Sequence, residues 1–172
     1  MIGHLAARLT RKSRSNFYYA FLALPKPRRD ALYAVYAFCR TVDDIADLGD
    51  ARAGRVYVPQ DDLRKFGVTV EDLQAGRYTE QFVRLMRHQA EGARRFYHAA
   101  QASFPTVDAR SLVPAEIMGR IYLALLEEIE ARRFQVFGER VTVPTGRKVA
   151  IAFRCWAAAR FGSAGSGGGR AA

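Results

Sequence analysis

The sequence predicts an all-α protein, and two observations support this fold class. Apolar residues recur every three or four positions along most of the 172-residue chain, and no stretch shows the sustained alternation of a strand. Hydrophobic residues make up 49% and charged residues 26%, which suits a packed core and not a disordered chain. We therefore expect one helical domain over residues 1–160 and a flexible, glycine-rich tail over 161–172.

The N-terminal part of the chain leads into its principal helix. Residues 1–15 predict a basic, partly helical lead-in, and residues 16–24 predict a short buried helix. The principal helix is expected over residues 27–47, because Pro27 suits a first turn, where a missing N–H costs nothing. Its predicted buried stripe follows helical spacing and consists of Leu32, Val35, Cys39, Val42 and Ala46.

The middle of the chain predicts two short helices and one long one. Residues 60–66 form the first short helix, which Gly67 ends. Thr69, followed by an aspartate three positions later, opens the second. A long helix over residues 79–103 follows, because apolar residues keep the helical period throughout.

Two further helices complete the predicted bundle. The first runs over residues 112–132, and its expected core positions are Ile117, Ile121, Leu125 and Ile129. Pro144 opens the last helix, over residues 145–160, and we expect Phe153 and Trp156 to anchor it in the core.

Composition excludes several classes of protein. No apolar run reaches the roughly 18 residues that a membrane span requires, and the N-terminus lacks the apolar segment of a secretory signal. Cys39 and Cys155 lack metal-ligand spacing and predict buried free thiols. These features make the cytoplasm the default location.

The net charge of +10 favours polyanionic partners such as nucleic acid, anionic lipid or diphosphates. The charge is spread along the chain and does not select among them. A nucleic-acid-binding module ranks last, because the chain lacks a recognisable DNA-reading motif and a platform of interleaved aromatic residues.

Two aspartates near the end of the principal helix carry the candidate chemistry. Asp43 and Asp47 are one turn apart and about 40° apart around the helix axis. They continue the line of Leu32, Tyr36 and Cys39. Two carboxylates on a buried stripe are costly and repel each other, and a bound Mg²⁺ that receives a phosphate group would relieve both effects. The alternative is that Asp43, Asp44 and Asp47 form the solvated end of an ordinary helix.

Three segments of the chain resemble the squalene/phytoene synthase family. Residues 15–47, SNFYYAFLALPKPRRDALYAVYAFCRTVDDIAD, resemble the opening of that family. The segment DARAGRVYVPQDDLRKFGV is similar to the part that follows the family's second aspartate-rich motif. The segment IMGRIYLALLEEIEARRFQVFGERVTVPTGRKVAIAFR is similar to its last two helices.

The resemblance implies a head-to-head condensation of two isoprenoid diphosphates on a helical bundle of the isoprenoid synthase type. It implies Mg²⁺ bound by Asp43, Asp47 and Asp50, and leaves open whether NADPH takes part. It assigns Asp43, Asp47 and Tyr122 to catalysis. It assigns substrate binding to Ser15, Tyr36, Arg40, Arg55 and Tyr57. Packing remains the alternative role for Tyr36, Tyr57 and Tyr122.

The sequence departs from the family at one point. In the family, two aspartate-rich helices face each other across the diphosphate, and several helices separate them in sequence. Here the first motif runs almost directly into the segment that should follow the second, so we predict an internal deletion and an incomplete domain.

Lost helices would expose apolar faces of the remaining ones, which favours self-association or peripheral membrane contact. The alternative function is therefore a non-catalytic, internally deleted remnant of the family that acts at most as a diphosphate-binding or interaction module. The alternative location is the cytoplasm with attachment to a membrane.

Overall fold

A computed structural model describes residues 2–12, 21–48, 57–104 and 111–161. These residues form seven α-helices and no β-strand, which confirms the all-α prediction. In chain order the helices are α1 (Ile2–Lys12), α2 (Lys26–Ala46), α3 (Gln60–Phe66), α4 (Val70–Gln74), α5 (Glu80–Ser103), α6 (Val113–Ala131) and α7 (Thr145–Phe161).

Helix α2 lies at the centre of the bundle and packs against α5, α1 and α6. Pro27 lies in its first turn, as the sequence predicts. The predicted buried stripe is confirmed at four positions, and Leu32 is half-buried. The buried residues of α2 are Ala31, Tyr33, Ala34, Val35, Ala37, Phe38, Cys39, Val42, Ile45 and Ala46.

Helix α5 is the main partner of α2. The Thr79 hydroxyl accepts a hydrogen bond from the backbone N–H of Phe82 and caps the helix at its predicted start. The Phe38 and Tyr97 rings meet between the two helices, with centroids 5.1 Å apart. The apolar side of α5 consists of Phe82, Leu85, Met86, Ala90, Ala93, Phe96 and Ala100.

Local chemistry sets the ends of the short helices as predicted. Helix α3 ends at Gly67, whose φ of 67° is a left-handed conformation that favours glycine. Thr69 and Asp72 form a reciprocal capping box at the start of α4, with both hydrogen bonds at 3.1 Å.

Helix α6 presents a different face to the core from the predicted one. Of the four predicted core positions only Ile129 is buried, whereas Ile117, Ile121 and Leu125 are half-buried. The buried residues are Ala115, Gly119, Ala124, Leu126 and Ile129. A Cβ at Gly119 would lie 3.6 Å from the Tyr97 ring, an ordinary van der Waals contact, so this turn of α6 packs beside Tyr97 of α5. The apolar side chains of α6 are distributed around most of its axis. The spacing of apolar residues in its sequence therefore does not define one buried face.

The predicted anchors of α7 are wrong. Phe153 and Trp156 are 64% and 48% exposed, and the one buried residue of α7 in the described chain is Cys155. Helix α7 packs against α6, which covers one side of it. Its bulky residues therefore face outward from the described part of the bundle.

The remaining predictions concern the N-terminus and the cysteines. The lead-in forms α1, in which Ala6 and Thr10 are fully buried. Of the helix expected over residues 16–24, only 21–24 belong to the described chain. Cys39 and Cys155 are free and buried, as predicted. No helix among the described residues has both the length and the apolar character needed to cross a bilayer.

Candidate functional site

Three carboxylates lie together at the C-terminal end of α2. Asp43 and Asp44 occupy its last turn, and Asp47 is its C-cap residue. All three residues are half-buried, so they are neither enclosed in the core nor fully solvated. We call Asp43, Asp44 and Asp47 the acidic cluster.

Tyr122 of α6 contacts the acidic cluster directly. Its hydroxyl donates a hydrogen bond to Asp43 Oδ2 at 3.1 Å, which joins two predicted site residues that are 79 positions apart. The contact forms because α6 packs against α2 beside the last turn of that helix. Burial raises the pKa of Tyr122, and the Asp43 carboxylate raises it further, so the phenol is neutral and acts as a donor.

The pKa of Asp43 reflects opposing effects. Burial raises it above its usual range, the hydrogen bond from Tyr122 lowers it, and the charge of Asp47 raises it again. A nearby cation would favour the ionised carboxylate over the protonated one. The electrostatics of this position therefore suit a bound metal ion or a basic group.

Asp44 faces a basic side chain on its own helix. Arg40 Nη2 lies 2.8 Å from Asp44 Oδ1, and the Arg40 guanidinium also lies over the Tyr57 ring at 4.5 Å from the centroid. Burial raises the pKa of Asp44 to about 6, although Arg40 lowers it. Arg40 is thus held between a carboxylate and an aromatic face. Tyr36 lies about one turn earlier on α2 and is half-buried.

One residue of the site, Arg140, is not among the residues predicted from the sequence. Arg140, in the segment between α6 and α7, places Nη2 3.4 Å from Asp47 Oδ1. Helical spacing could not reveal this contact, because the two residues are 93 positions apart and on different elements. The only signal was that Arg140 falls within the third segment that resembles the family.

Cys39 lies one turn before Asp43 on α2. Burial raises the pKa of its thiol to about 12, and the Asp43 carboxylate contributes to that shift. A thiol with this pKa stays protonated at neutral pH and is a poor nucleophile and metal ligand. The groups of the site that can bind a ligand are therefore its carboxylates, guanidiniums and phenol.

Three predicted site residues cannot be placed. Ser15, Asp50 and Arg55 lie outside the described residues. The other predicted residues gather around the acidic cluster. Asp43 meets Tyr122, and Arg40 meets Tyr57.

The chemistry of the acidic cluster fits Mg²⁺. The described residues hold no group of three or more acidic, histidine or cysteine side chains arranged as a metal site. Mg²⁺ usually needs only one or two protein carboxylates, because waters and substrate phosphates complete its shell. Asp43 and Asp47, one turn apart and half-buried, meet that requirement.

Most of the chain matches one known protein family. The model of the squalene/phytoene synthase family matches residues 10–49 and 48–147 as two segments. The segments meet at residues 48–49, next to the junction at which the sequence predicts a deletion.

Relatives of known function are longer than this chain. The phytoene synthase of Arthrospira platensis is 34% identical over 125 residues, which cover 73% of this chain and 40% of the relative. Phytoene synthase 1 of Solanum lycopersicum, a chloroplastic protein, is 36% identical over 106 residues, 61% of this chain and 26% of the relative. The chain thus spans 40% or less of the length of these two proteins.

A solved structure shares the fold. The crystal structure of a dehydrosqualene synthase in complex with ligand aligns with a TM-score of 0.52 at 17% identity. The alignment covers 92% of this chain and 96% of that chain. At this level of identity the likeness concerns the fold alone.

Proposed function

We propose, because this chain belongs to the squalene/phytoene synthase family, that its acidic cluster binds Mg²⁺ together with the diphosphate of an isoprenoid substrate. The reaction served is the head-to-head condensation of two such substrates. Residues 1–160 then act as an incomplete domain of this family.

One observation carries the proposal: Tyr122 reaches across from α6 to Asp43 at the half-buried end of α2. Carboxylates that serve only as the solvated end of a helix need no hydrogen bond from a half-buried phenol on another element. A hydroxyl that donates to Asp43 Oδ2 fixes that carboxylate and leaves its other oxygen available to a ligand.

Asp43 and Asp47 are the residues that would hold Mg²⁺. When bound, this ion neutralises charge on the diphosphate and so makes it a better leaving group. Asp44 is less suited to this role because Arg40 pairs with it at 2.8 Å, closer than the 3.4 Å between Arg140 and Asp47.

Two arginines border the acidic cluster and supply donors to an anion. Arg40 and Arg140 each pair with one of its carboxylates, at 2.8 and 3.4 Å. Guanidinium groups bind phosphate oxygens with paired hydrogen bonds. Arg40 and Arg140 can therefore release their carboxylates and bind a diphosphate. The Tyr57 ring covers the Arg40 guanidinium on one side.

A second candidate function is diphosphate binding without condensation. The observation that favours it is length, since the chain spans 40% of the Arthrospira platensis phytoene synthase and matches the family in two segments. A site that surrounds two isoprenoid tails needs apolar walls on several sides, and a shortened chain offers fewer of them.

A turnover assay distinguishes the two candidates. The purified chain is incubated with farnesyl or geranylgeranyl diphosphate and Mg²⁺, and both the released diphosphate and the extracted hydrocarbon are quantified. Condensation predicts a product that Asp43→Ala abolishes and the control Asp61→Ala preserves, since Asp61 is an exposed residue of α3. Substrate binding without product supports the second candidate. The absence of both binding and product contradicts both candidates.

A further inference from the structure

We propose that a concavity between the start of α5 and the end of α6 binds an acidic, partly apolar segment of another protein. The concavity has a volume of about 670 Å³, which is large enough to hold several side chains of a partner. Three arginines line it, Arg84 and Arg87 from α5 and Arg133 from the segment after α6. We call it the basic concavity. None of the three aspartates of the acidic cluster lines it, so the proposal does not depend on the metal site.

The arginines of the basic concavity are available to a partner. All three are exposed, and within the described chain none of them forms an ion pair. Arg132, which directly precedes Arg133, is by contrast paired with Glu128 at 3.1 Å. Arg84 and Arg87 lie about 60° apart around the axis of α5, on the same side of the helix. Clustered like charges repel each other, and a partner that carries carboxylates would relieve that repulsion.

The backbone at the end of α6 holds Arg133 in an unusual conformation. Arg133 and Phe134 have φ angles of 51° and 63°, in the left-handed region that residues other than glycine rarely adopt. The Tyr78 hydroxyl donates a hydrogen bond to the Arg133 carbonyl oxygen at 2.6 Å and so ties this turn to the start of α5. Such conformations persist where neighbouring contacts enforce them, and they are frequent at binding sites.

The basic concavity also offers apolar and aromatic surface. Tyr78 is 38% exposed, and Phe134 and the half-buried Val83 line the same space. Exposed ion pairs alone contribute little affinity, so a tightly bound segment needs apolar contacts in addition to charge. Tyrosine and arginine are also the residues that often dominate the affinity of protein interfaces. The combination therefore suits a segment in which acidic and large apolar residues lie close together.

The carboxylates of the lining favour a protein segment over a nucleic acid. Glu80 and Glu130 line the basic concavity beside the arginines. Glu130 is paired with Arg94 at 2.5 Å, whereas Glu80 forms no ion pair in the described part of the chain. The Glu80 carboxylate would repel a phosphate backbone, but it can accept hydrogen bonds from the backbone N–H groups of a peptide.

Selection from a displayed library of random peptides tests the proposal. The full chain is immobilised in the presence of EDTA, so that metal binding plays no part, and peptides that bind the support alone are removed. We expect the recovered peptides to be enriched in aspartate and glutamate together with large apolar residues. Recovery of no peptide, or of peptides without acidic enrichment, would overturn the proposal.

Fluorescence polarisation with one labelled peptide from the selection locates the contact. Arg84→Gln/Arg87→Gln should weaken its binding by at least about tenfold, since hydrogen bonds between charged groups contribute at least that much. The control Arg95→Gln/Lys148→Gln removes the same charge from exposed positions outside the basic concavity and should weaken it by less than about threefold. Equal losses in the two variants would mean that net charge alone attracts the peptide and would overturn the assignment to this site.

Arg133→Gly separates loss of the guanidinium from loss of the fold. Glycine adopts a φ of 51° without strain, so this variant should melt at the same temperature as the parent or higher. It should nevertheless bind the peptide at least about fivefold more weakly. Unchanged affinity would overturn the site between α5 and α6. Displacement of the peptide from the parent by an equal concentration of single-stranded oligonucleotide would overturn the proposal in favour of nucleic acid.

Discussion

Helices α2 and α7 are both rich in apolar residues, yet they are buried to different extents. Helix α2 buries ten residues in the described structure, whereas α7 buries one. The difference lies in their neighbours, because α2 contacts α1, α5 and α6, and α7 rests on α6. Burial of a helix is therefore decided by which other helices of the bundle lie around it.

The largest expected contrast is between two phenylalanines, one on each helix. Phe38→Ala in α2 removes a fully buried ring and should lower the free energy of unfolding by about 3–5 kcal/mol. Phe153→Ala in α7 removes an exposed ring and should change it by less than about 0.5 kcal/mol. Guanidinium chloride denaturation followed by circular dichroism measures both values. A loss at Phe153 as large as that at Phe38 would mean that α7 is buried in solution.

A second prediction contrasts two aspartates whose pKa values shift in opposite directions. Because the pKa of Asp44 is raised to about 6 in the folded chain, its ionisation costs stability above that pH. Asp44→Asn should therefore be more stable than the parent by about 1–2 kcal/mol near neutral pH. This advantage should disappear as the pH falls through about 6 towards the unfolded pKa of about 4.

Asp72 is the control for this pH dependence. Hydrogen bonds from the Thr69 backbone and side chain lower its pKa, so its contribution to stability is present above the unfolded pKa and is lost on acidification. Asp72→Asn should therefore be less stable than the parent at neutral pH, opposite in sign to Asp44→Asn. Urea denaturation at several pH values compares them, and a loss of stability in both variants at neutral pH would refute the electrostatic interpretation of Asp44.

A smaller effect is expected at the contact between α6 and α2. Tyr122→Phe removes the hydrogen bond to Asp43 and should cost about 1 kcal/mol of stability. The pKa of Asp43 should rise further, because that hydrogen bond lowers it. An NMR titration of the Asp43 carboxyl carbon measures the shift, and an unchanged pKa would mean that the two groups do not interact in solution.

The sequence predicted what local chemistry decides. The glycine end of α3 and the start of α4 at Thr69 each involve residues within a few positions of one another. The buried stripe of α2 was also predictable, because its apolar residues recur at the three-and-four spacing of a helix.

The faces of α6 and α7 were not predictable in the same way. Apolar residues surround much of α6, so its buried side depends on where α2, α5 and α7 lie. Phe153 and Trp156 were expected in the core because large aromatic residues usually are, but the described chain has no helix to cover them.

The residues of the site also differ in whether local sequence patterns predict their positions. The acidic cluster and Arg40 lie on one helix, so their proximity follows from helical spacing. The contact of Arg140 with Asp47 depends on how the segment after α6 returns to α2, and no local pattern encodes that path. The position of Tyr122 came from the family resemblance and not from spacing.

The most direct test of the proposed site is calorimetric titration of the chain with inorganic diphosphate, with and without Mg²⁺. We predict binding that requires Mg²⁺ and that weakens by at least about tenfold in Asp43→Asn/Asp47→Asn, since a charged ligand contact contributes at least that much. The control Asp61→Asn, at an exposed position of α3, should bind as the parent does. Equal affinity in the parent and the double variant, or binding unaffected by Mg²⁺, would contradict the assignment of the acidic cluster as a metal–diphosphate site.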